Sequence, residues 1–130
     1  MTDLELVNIA RQAVNLAYAP YSKFCVGAAV LTKDGEVYTG CNIENASYGA
    51  SICAERVAIS KCISDGCRLI NKIAICSTGE GQTFPCGICR QVMSEFMEED
   101  GEILLGTPDG DFYTYTLGEL LPNSFILHDS

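Results

Sequence analysis

The stretch Pro85-Cys86-Gly87-Ile88-Cys89, read together with Cys53-Ala54-Glu55-Arg56, is the part of the chain that the fold has to bring together. The two cysteines of the first stretch are three residues apart, so on a helix their side chains share one face. With Cys53 they supply three thiolate ligands for Zn²⁺ and leave the fourth tetrahedral position open, which is typical of a catalytic zinc. Glu55 can then exchange protons with a water on the metal without being a ligand itself.

Two other interpretations of the CxxC pair stay open at this point. Such a pair also occurs as a redox centre in thioredoxin-like proteins and as half of a structural zinc knuckle. A knuckle needs a second CxxC or a histidine pair, and the one histidine, His128, lies close to the end of the sequence. The pattern therefore favours the open catalytic zinc over both.

Composition limits the class of protein and its partners. With 130 residues, 48% hydrophobic and 19% charged, the chain is predicted to form one globular domain over residues 1–130. The net charge of −9 and only eight Lys and Arg argue against a nucleic-acid partner and favour a small substrate without strong negative charge. Because there is neither a signal peptide nor an apolar stretch of transmembrane length, we expect a cytoplasmic protein with no membrane partner and with reduced cysteines.

The hydrophobic periodicity predicts helices alternating with strands. Helices are predicted from Leu4 to Ala17, from about Cys53 to Ser64, from about Gly87 to Glu98 and, as a short last one, at 116–121. Strands are predicted at 26–31, 36–41, 72–77, 103–105 and 112–116. This order indicates an α/β fold of three layers, α/β/α, in which a mixed five-stranded sheet is covered by helices on both faces.

The charge of the predicted metal site needs compensation. Three thiolates on Zn²⁺ give a formal charge of −1, which weakens the power of the metal to acidify water. Cys53 and Cys86 both stand at predicted helix starts, where the partial positive charge stabilises thiolates. Arg56 is expected to donate hydrogen bonds to the ligand sulfurs, the plain alternative being a solvated surface arginine. Residues i and i+2 of a helix point about 200° apart, so Cys53 must precede the regular helix if it is to share a metal site with Glu55.

The cysteine pattern resembles the zinc nucleoside and nucleobase deaminases, whose signature is His/Cys-x-Glu followed by Pro-Cys-x-x-Cys. Further segments, and cysteine as the first ligand, are similar to the small homotetrameric zinc-dependent cytidine deaminases. These segments are Ala19-Pro20-Tyr21-Ser22-Lys23-Phe24, Val26-Gly27-Ala28-Ala29, Cys41-Asn42-Ile43-Glu44-Asn45-Ala46-Ser47-Tyr48-Gly49 and Leu120-Leu121-Pro122. The resemblance extends to Phe125 and implies a cytidine deaminase-like form of the predicted fold.

What the resemblance implies about function is specific. It implies hydrolytic deamination of cytidine and 2′-deoxycytidine to uridine and 2′-deoxyuridine in pyrimidine salvage, with release of ammonia. It also implies one Zn²⁺ per subunit and a homotetramer with shared active sites. In the implied mechanism Glu55 draws a proton from zinc-bound water, hydroxide attacks the pyrimidine C4, and Glu55 then protonates the leaving amino group.

The same resemblance assigns substrate-binding residues. Asn42 and Glu44 would bind the ribose hydroxyls, Phe24 would line the base pocket, and Ala54 would offer backbone hydrogen bonds to the pyrimidine. Pockets at subunit contacts would be completed by Ala46, Tyr48 and Phe125. An amide and a carboxylate in one loop suit a diol, and an aromatic ring suits stacking. From the residues alone, a place in the core is the preferred interpretation for each phenylalanine, and Asn42 and Glu44 are also typical of a turn.

Two alternative functions follow from the sequence. The first is a related deaminase acting on blasticidin S, free cytosine or deoxycytidylate. Asn42 and Glu44 argue against a free base, and the shortage of nearby cations argues against a phosphorylated nucleotide. The second is a structural-zinc module without activity. The variant Glu55→Ala distinguishes the two: an enzyme would keep its zinc but stop releasing ammonia, whereas a structural module has no activity to lose.

Overall fold

Five strands form one mixed sheet in the computed structural model, which describes residues 1–127. They are β1 (Val26–Thr32), β2 (Val37–Cys41), β3 (Ile70–Ser77), β4 (Met97–Gly106) and β5 (Phe112–Thr116). The strand order is β2-β1-β3-β4-β5, and only the β3–β4 pair is parallel. The predicted number of strands and the mixed character of the sheet are confirmed.

Four α-helices cover the two faces of this sheet. They are α1 (Asp3–Ala13), α2 (Ala54–Ser64), α3 (Gly87–Phe96) and α4 (Leu117–Leu120). Helix α1 packs alone on one face, and the other three helices lie on the opposite face. The α/β/α layering predicted from the order of elements is therefore confirmed. Among residues 1–127, no helix is both long and apolar enough to span a membrane.

The period-2 alternation of the strands divides the core between the two faces. In β3, Ile73 and Ile75 point toward α2 and α3, whereas Ala74 and Cys76 point toward α1. All four side chains are fully or almost fully buried. A buried isoleucine such as Ile73 or Ile75 contributes about 1.5–3 kcal/mol, so packing against α2 and α3 holds the central strand in place.

Two glycines let helices approach the sheet closely from opposite sides. A Cβ added at Gly27 in β1 would lie 2.3 Å from the carbonyl oxygen of Ala10 in α1. A Cβ added at Gly40 in β2 would lie 2.5 Å from the carbonyl oxygen of Ala54 in α2. Since β-carbon contacts of this length are sterically forbidden, glycine at each position determines how closely the helix backbone sits on the strand.

The first helix is shorter than predicted. It ends at Ala13 and continues as one 3₁₀ turn over 14–16, whereas the periodicity predicted helix as far as Ala17. The reason is tertiary: the backbone of Tyr18 is extended and bridges to Ile43, with its N–H donating to the carbonyl of Asn42 at 3.0 Å. This bridge requires the chain to leave the helix before Ala17.

The third helix and fourth strand also differ from the prediction. Helix α3 ends at Phe96 and β4 begins directly at Met97, although the sequence predicted helix to Glu98 and a strand only from Ile103. Met97 is 7% exposed and pairs with Ile70, so burial of its side chain fixes extended backbone there. The register then shifts between Ile70 and Lys72, which accommodates the acidic residues that follow Met97.

The candidate site lies at one end of the sheet. Because β1 and β3 are antiparallel, the start of β1 at Val26 lies beside the end of β3 at Ser77. The chain enters both α2 and α3 at this end, which carries the segments 22–26, 42–44 and 83–86. The hairpin turn 33–35 lies at the other end of the sheet, beyond Thr32.

Candidate metal centre and active site

The three candidate ligand cysteines stand at the N-termini of two helices. Cys53 is the N-cap of α2, and Cys86 is the N-cap of α3, which places Cys89 one turn into that helix. Cys53 has extended backbone, with φ −73° and ψ 153°. It therefore precedes the regular helix, which satisfies the geometric condition for sharing a site with Glu55. Both helix starts direct unpaired N–H groups and a partial positive charge toward the sulfurs.

The sulfur atoms are spaced as a zinc site requires. The Sγ of Cys86 lies 3.8 Å from that of Cys53 and 3.4 Å from that of Cys89. All three atoms lie within 4.8 Å of one another. Tetrahedral Zn²⁺ with bonds of about 2.3 Å places its sulfur ligands about 3.8 Å apart. The donor set and its spacing therefore fit a zinc ion.

Among residues 1–127, this ligand group contains only the three cysteines. His128, considered above for a zinc knuckle, lies outside the described residues. All eight cysteines are free thiols, so no disulfide competes for the three sulfurs. Three protein ligands leave one tetrahedral position for water or substrate, as in catalytic zinc sites.

The surroundings of Cys53 favour its thiolate form. A hydrogen bond with Cys89, followed by one from the Arg56 guanidinium, lowers the pKa of Cys53 to about 5. Conversely, the pKa of Cys89 is raised, because Cys89 donates a hydrogen bond to Cys53 and because it is buried. Nη2 of Arg56 lies 3.7 Å from the Cys53 sulfur. The guanidinium is thus directed at the sulfur of a candidate ligand.

Glu55 is one of the two buried polar or charged residues among residues 1–127, with 4% of its surface exposed. Burial raises the pKa of its carboxyl to about 7, and the contact with Cys89 works in the opposite direction. A carboxyl in this environment can both take up and release a proton near neutral pH. Its contact with Cys89 places it beside the thiol cluster.

A cavity of about 260 Å³ opens above the thiols and Glu55. Its lining residues are Ser22, Phe24, Val26, Asn42, Glu44, Cys53, Ala54, Glu55, Thr83, Phe84 and Cys86. The structure thus brings four of the predicted substrate-binding residues, Phe24, Asn42, Glu44 and Ala54, into one cavity with the candidate ligands Cys53 and Cys86. Ala54 is the first residue of α2, so its N–H has no partner within the helix.

The side-chain amide of Asn42 is hydrogen-bonded to the backbone of Phe24 and Val26. Its Oδ1 accepts from the N–H of Val26 at 2.8 Å, and its Nδ2 donates to the carbonyl of Phe24 at 2.8 Å. One N–H and one lone pair of the amide remain for another partner. Asn42 therefore fixes the segment that carries Phe24, in addition to bordering the cavity.

Glu44 is held just as firmly. Its Oε1 accepts from the backbone N–H of Tyr21 at 3.0 Å and of Ser22 at 3.1 Å, and its Oε2 accepts from the hydroxyl of Ser22. The Ser22 hydrogen bond is the main cause that lowers the pKa of Glu44. The carboxylate is therefore an ionised acceptor with a fixed orientation.

The structure does not bring three other predicted residues into this cavity. Ala46 and Tyr48 are exposed on the loop after β2, and Phe125 is exposed near the C-terminus. Tyr48 packs edge-on against Tyr21, with 6.4 Å between ring centroids. None of the three lines the cavity, although Tyr48 borders a neighbouring one with Glu44 and Ser22.

Sequence reasoning missed four lining residues, Ser22, Val26, Thr83 and Phe84. Phe84 packs against Tyr115 with 5.3 Å between ring centroids, and Thr83 shares a hydrogen bond with the hydroxyl of Ser77. Phe84 directly precedes the ligand segment, and proximity to Cys86 was the signal that could have identified it. No local pattern marks Ser22, because its partner Glu44 lies 22 residues away.

Comparisons with known proteins agree on one family. The family model described as the cytidine and deoxycytidylate deaminase zinc-binding region matches residues 1–104. A cytidine deaminase of Halalkalibacterium halodurans is 48% identical over 124 residues, covering 95% of this chain and 94% of that protein. One of Mycobacterium tuberculosis is 45% identical over 121 residues, covering 92% and 86%. The crystal structure of cytidine deaminase from Burkholderia pseudomallei matches with a TM-score of 0.91 and 45% identity, covering 96% and 100%.

Proposed function

This chain belongs to the cytidine and deoxycytidylate deaminase family, and on that premise we propose that it is a zinc-dependent cytidine deaminase. Its reaction is the hydrolysis of cytidine and 2′-deoxycytidine to uridine and 2′-deoxyuridine, with release of ammonia. Residues 1–130 act as one deaminase domain. The reaction serves pyrimidine salvage in the cytoplasm.

One observation carries the proposal: three thiols within 4.8 Å of one another and a buried carboxyl meet at the base of a cavity of about 260 Å³. A redox pair would need no third sulfur and no buried acid. A structural zinc site would close the metal with a fourth protein ligand. Hydrolysis at a metal uses all of these features together.

Cys53, Cys86 and Cys89 would hold the zinc, which supplies a Lewis acid that makes water nucleophilic near neutral pH. Glu55 takes a proton from the attacking water and delivers it to N3 of the pyrimidine, which makes C4 electrophilic. The water oxygen forms its bond to C4, and Glu55 moves the second water proton to the amino group. The C4–N bond then breaks and ammonia leaves, so that water and cytidine are converted to uridine and ammonia.

The remaining cavity residues hold the nucleoside. Phe24 offers an aromatic surface for the base, and the backbone at Ala54 offers hydrogen bonds to the pyrimidine. Asn42 and Glu44 bind the ribose hydroxyls through the hydrogen-bonding capacity that the protein leaves free. No Lys or Arg is found among the cavity-lining residues of the described chain, and two carboxyl groups are, which disfavours a phosphorylated nucleotide.

A homotetramer is part of the proposal. Ala46, Tyr48 and Phe125 lie outside the cavity of their own subunit and are exposed. Aromatic side chains such as Tyr48 and Phe125, which are 81% and 69% exposed, are typical of buried subunit contacts and not of free surface. We infer that they complete the pockets of neighbouring subunits.

The test compares the purified protein with Glu55→Gln and with Glu95→Gln, which makes the same change at an exposed position of α3. Absorbance loss of cytidine and of 2′-deoxycytidine, ammonia release and zinc content are measured for each. We expect Glu55→Gln to keep zinc but lose about 10²–10⁴-fold in kcat, and Glu95→Gln to match the wild type. A zinc-loaded wild type that deaminates neither nucleoside would overturn the proposal, as would an unimpaired Glu55→Gln.

A further inference from the structure

Ser22 connects two walls of the active-site cavity through a single hydroxyl. Its Oγ donates to Oε2 of Glu44 and accepts from the backbone N–H of Phe24 at 3.0 Å. A serine hydroxyl has one proton and two lone pairs, so it can make both bonds at once. The Ser22 hydroxyl thus joins the carboxylate of Glu44 to the backbone of Phe24, whose ring lines the cavity.

The segment that carries Phe24 is held from its other side as well. Its carbonyl accepts from Nδ2 of Asn42 at 2.8 Å, so the N–H and the C=O of this residue are both bonded to side chains. Lys23, between Ser22 and Phe24, has a φ of 62°, a left-handed conformation that is uncommon for a residue with a side chain. A backbone in this state persists only where surrounding bonds hold it.

We propose that Ser22 is a positioning residue for the nucleoside, which fixes the Glu44 carboxylate so that its free lone pairs face a ribose hydroxyl in the cavity. The inference rests on the proposed function and adds a residue to it. Glu44 has three side-chain torsions, and its Oε1 is already saturated by two backbone N–H groups. Among residues 1–127, only Ser22 bonds Oε2, the oxygen that has capacity left for a ligand.

The consequence is a selective defect. In Ser22→Ala, Oε1 of Glu44 keeps its two backbone hydrogen bonds but Oε2 loses the serine hydroxyl. The carboxylate can then turn about its last torsion, so each binding event must order Oε2 again. We expect KM for cytidine to rise about tenfold, the worth of one hydrogen bond to a charged group, with kcat changed by less than about threefold and zinc retained. For 2′,3′-dideoxycytidine, which lacks both hydroxyls, KM should change by less than about twofold, since Glu44 has nothing to bind.

Three variants serve as controls. Thr78→Val removes a hydroxyl that accepts from the backbone N–H of Cys25 at 3.2 Å in the same segment, but does not bond Glu44. We expect its KM for cytidine to match the wild type. Ser22→Thr keeps the hydroxyl and should restore most of the affinity. In a double-mutant cycle, Ser22→Ala added to Glu44→Gln should cost little beyond Glu44→Gln alone.

The outcomes separate this inference from the proposed function. If the wild type and Thr78→Val deaminate cytidine while Ser22→Ala is unchanged, the role of Ser22 is refuted and the proposed function stands. A KM rise of equal size for cytidine and 2′,3′-dideoxycytidine also refutes it, because the hydroxyl then acts only on the Phe24 backbone. If the wild type deaminates neither nucleoside, the proposed function fails first. Should Ser22→Ala not fold, Ser22→Cys, whose thiol is a weaker donor, provides the same comparison.

Discussion

Arg56 directs its Nη2 at the sulfur of Cys53 from a distance of 3.7 Å, across the first turn of α2. The first turn of one helix therefore contributes a candidate ligand, a buried acid at Glu55 and a cation. The Nε of Arg56 is buried and has no hydrogen-bond partner among residues 1–127. Burying this N–H unpaired costs free energy, so we expect the charge of the guanidinium to matter more than its full set of hydrogen bonds.

Replacing Arg56 tests whether this charge matters for turnover. Arg56→Gln removes a positive charge from a site with three thiolates, so we expect kcat for cytidine to fall about tenfold while zinc stays bound. The matched control is Arg68→Gln, which makes the same change in an arginine that bonds the carbonyl of Ile63 near the end of α2. Equal kcat in the two variants would show that Arg56 does not tune the metal.

The ligand assignment can be tested with two equally buried cysteines. Cys89 and Cys62 are both 0% exposed, but only Cys89 belongs to the sulfur cluster. We expect Cys89→Ala to lose most of its zinc and all measurable deamination. Cys62→Ala should keep both and lower the free energy of unfolding by about 1–2 kcal/mol, because it leaves a small cavity. The zinc content of each variant is measured after gel filtration. Zinc loss in Cys62→Ala but not in Cys89→Ala would contradict the assignment of Cys89 as a ligand.

A second matched pair tests whether α2 positions the site. Gly40→Ala forces a Cβ to 2.5 Å from the Ala54 carbonyl, and Gly27→Ala forces one to 2.3 Å from the Ala10 carbonyl. We expect each to lower the free energy of unfolding by about 1–3 kcal/mol through overpacking. Only Gly40→Ala displaces the helix that begins after Cys53, so only this variant should lose zinc faster to a chelator and have a lower kcat. Equal zinc loss in both variants would mean that the effect is global.

Mixed oligomers test whether active sites are shared. Phe125 is 69% exposed and is tied to its own subunit by a bond from Nε2 of Gln91 to its carbonyl at 2.9 Å. If it serves a neighbour, Phe125→Ala and removal of residues from Asn123 onward should raise KM without releasing zinc. Refolding Phe125→Ala together with Glu55→Gln should give hybrids more active than either protein alone.

The control for this experiment is the double variant Glu55→Gln/Phe125→Ala, which lacks Phe125. When it is refolded with Phe125→Ala, the deaminase activity should not rise above that of Phe125→Ala alone. Equal activity in the two mixtures would count against shared pockets.

The sequence could predict that the three cysteines lie together, because the spacing of Cys86 and Cys89 is a local property. Cys86 and Cys89 share a helix face by their separation alone, and the helix starts at Cys53 and Cys86 follow from their flanking residues. The five strands were predicted for a similar reason, since alternation along a strand reports which face is buried. Roles of single residues in catalysis and binding remain predictions that the experiments above address.

Features that depend on distant partners could not be predicted in this way. The acidic residues after Met97 have no strand-like alternation, and β4 extends through them because Met97 pairs with Ile70. Helix α1 ends early because of a backbone bridge between Tyr18 and Ile43. Both cases are tertiary contacts that override local preference.

The polarity of the sheet has a practical consequence for handling the protein. Every residue that lines the cavity lies at the end where β1 begins and β3 finishes, whereas the hairpin tip Lys33-Asp34-Gly35 is exposed at the far end. That tip offers an attachment point for a fluorophore or a surface tether that would leave the entrance to the cavity unobstructed. A cysteine introduced there for labelling would have to compete with the eight native thiols, so a short peptide tag inserted at Gly35 is the better choice.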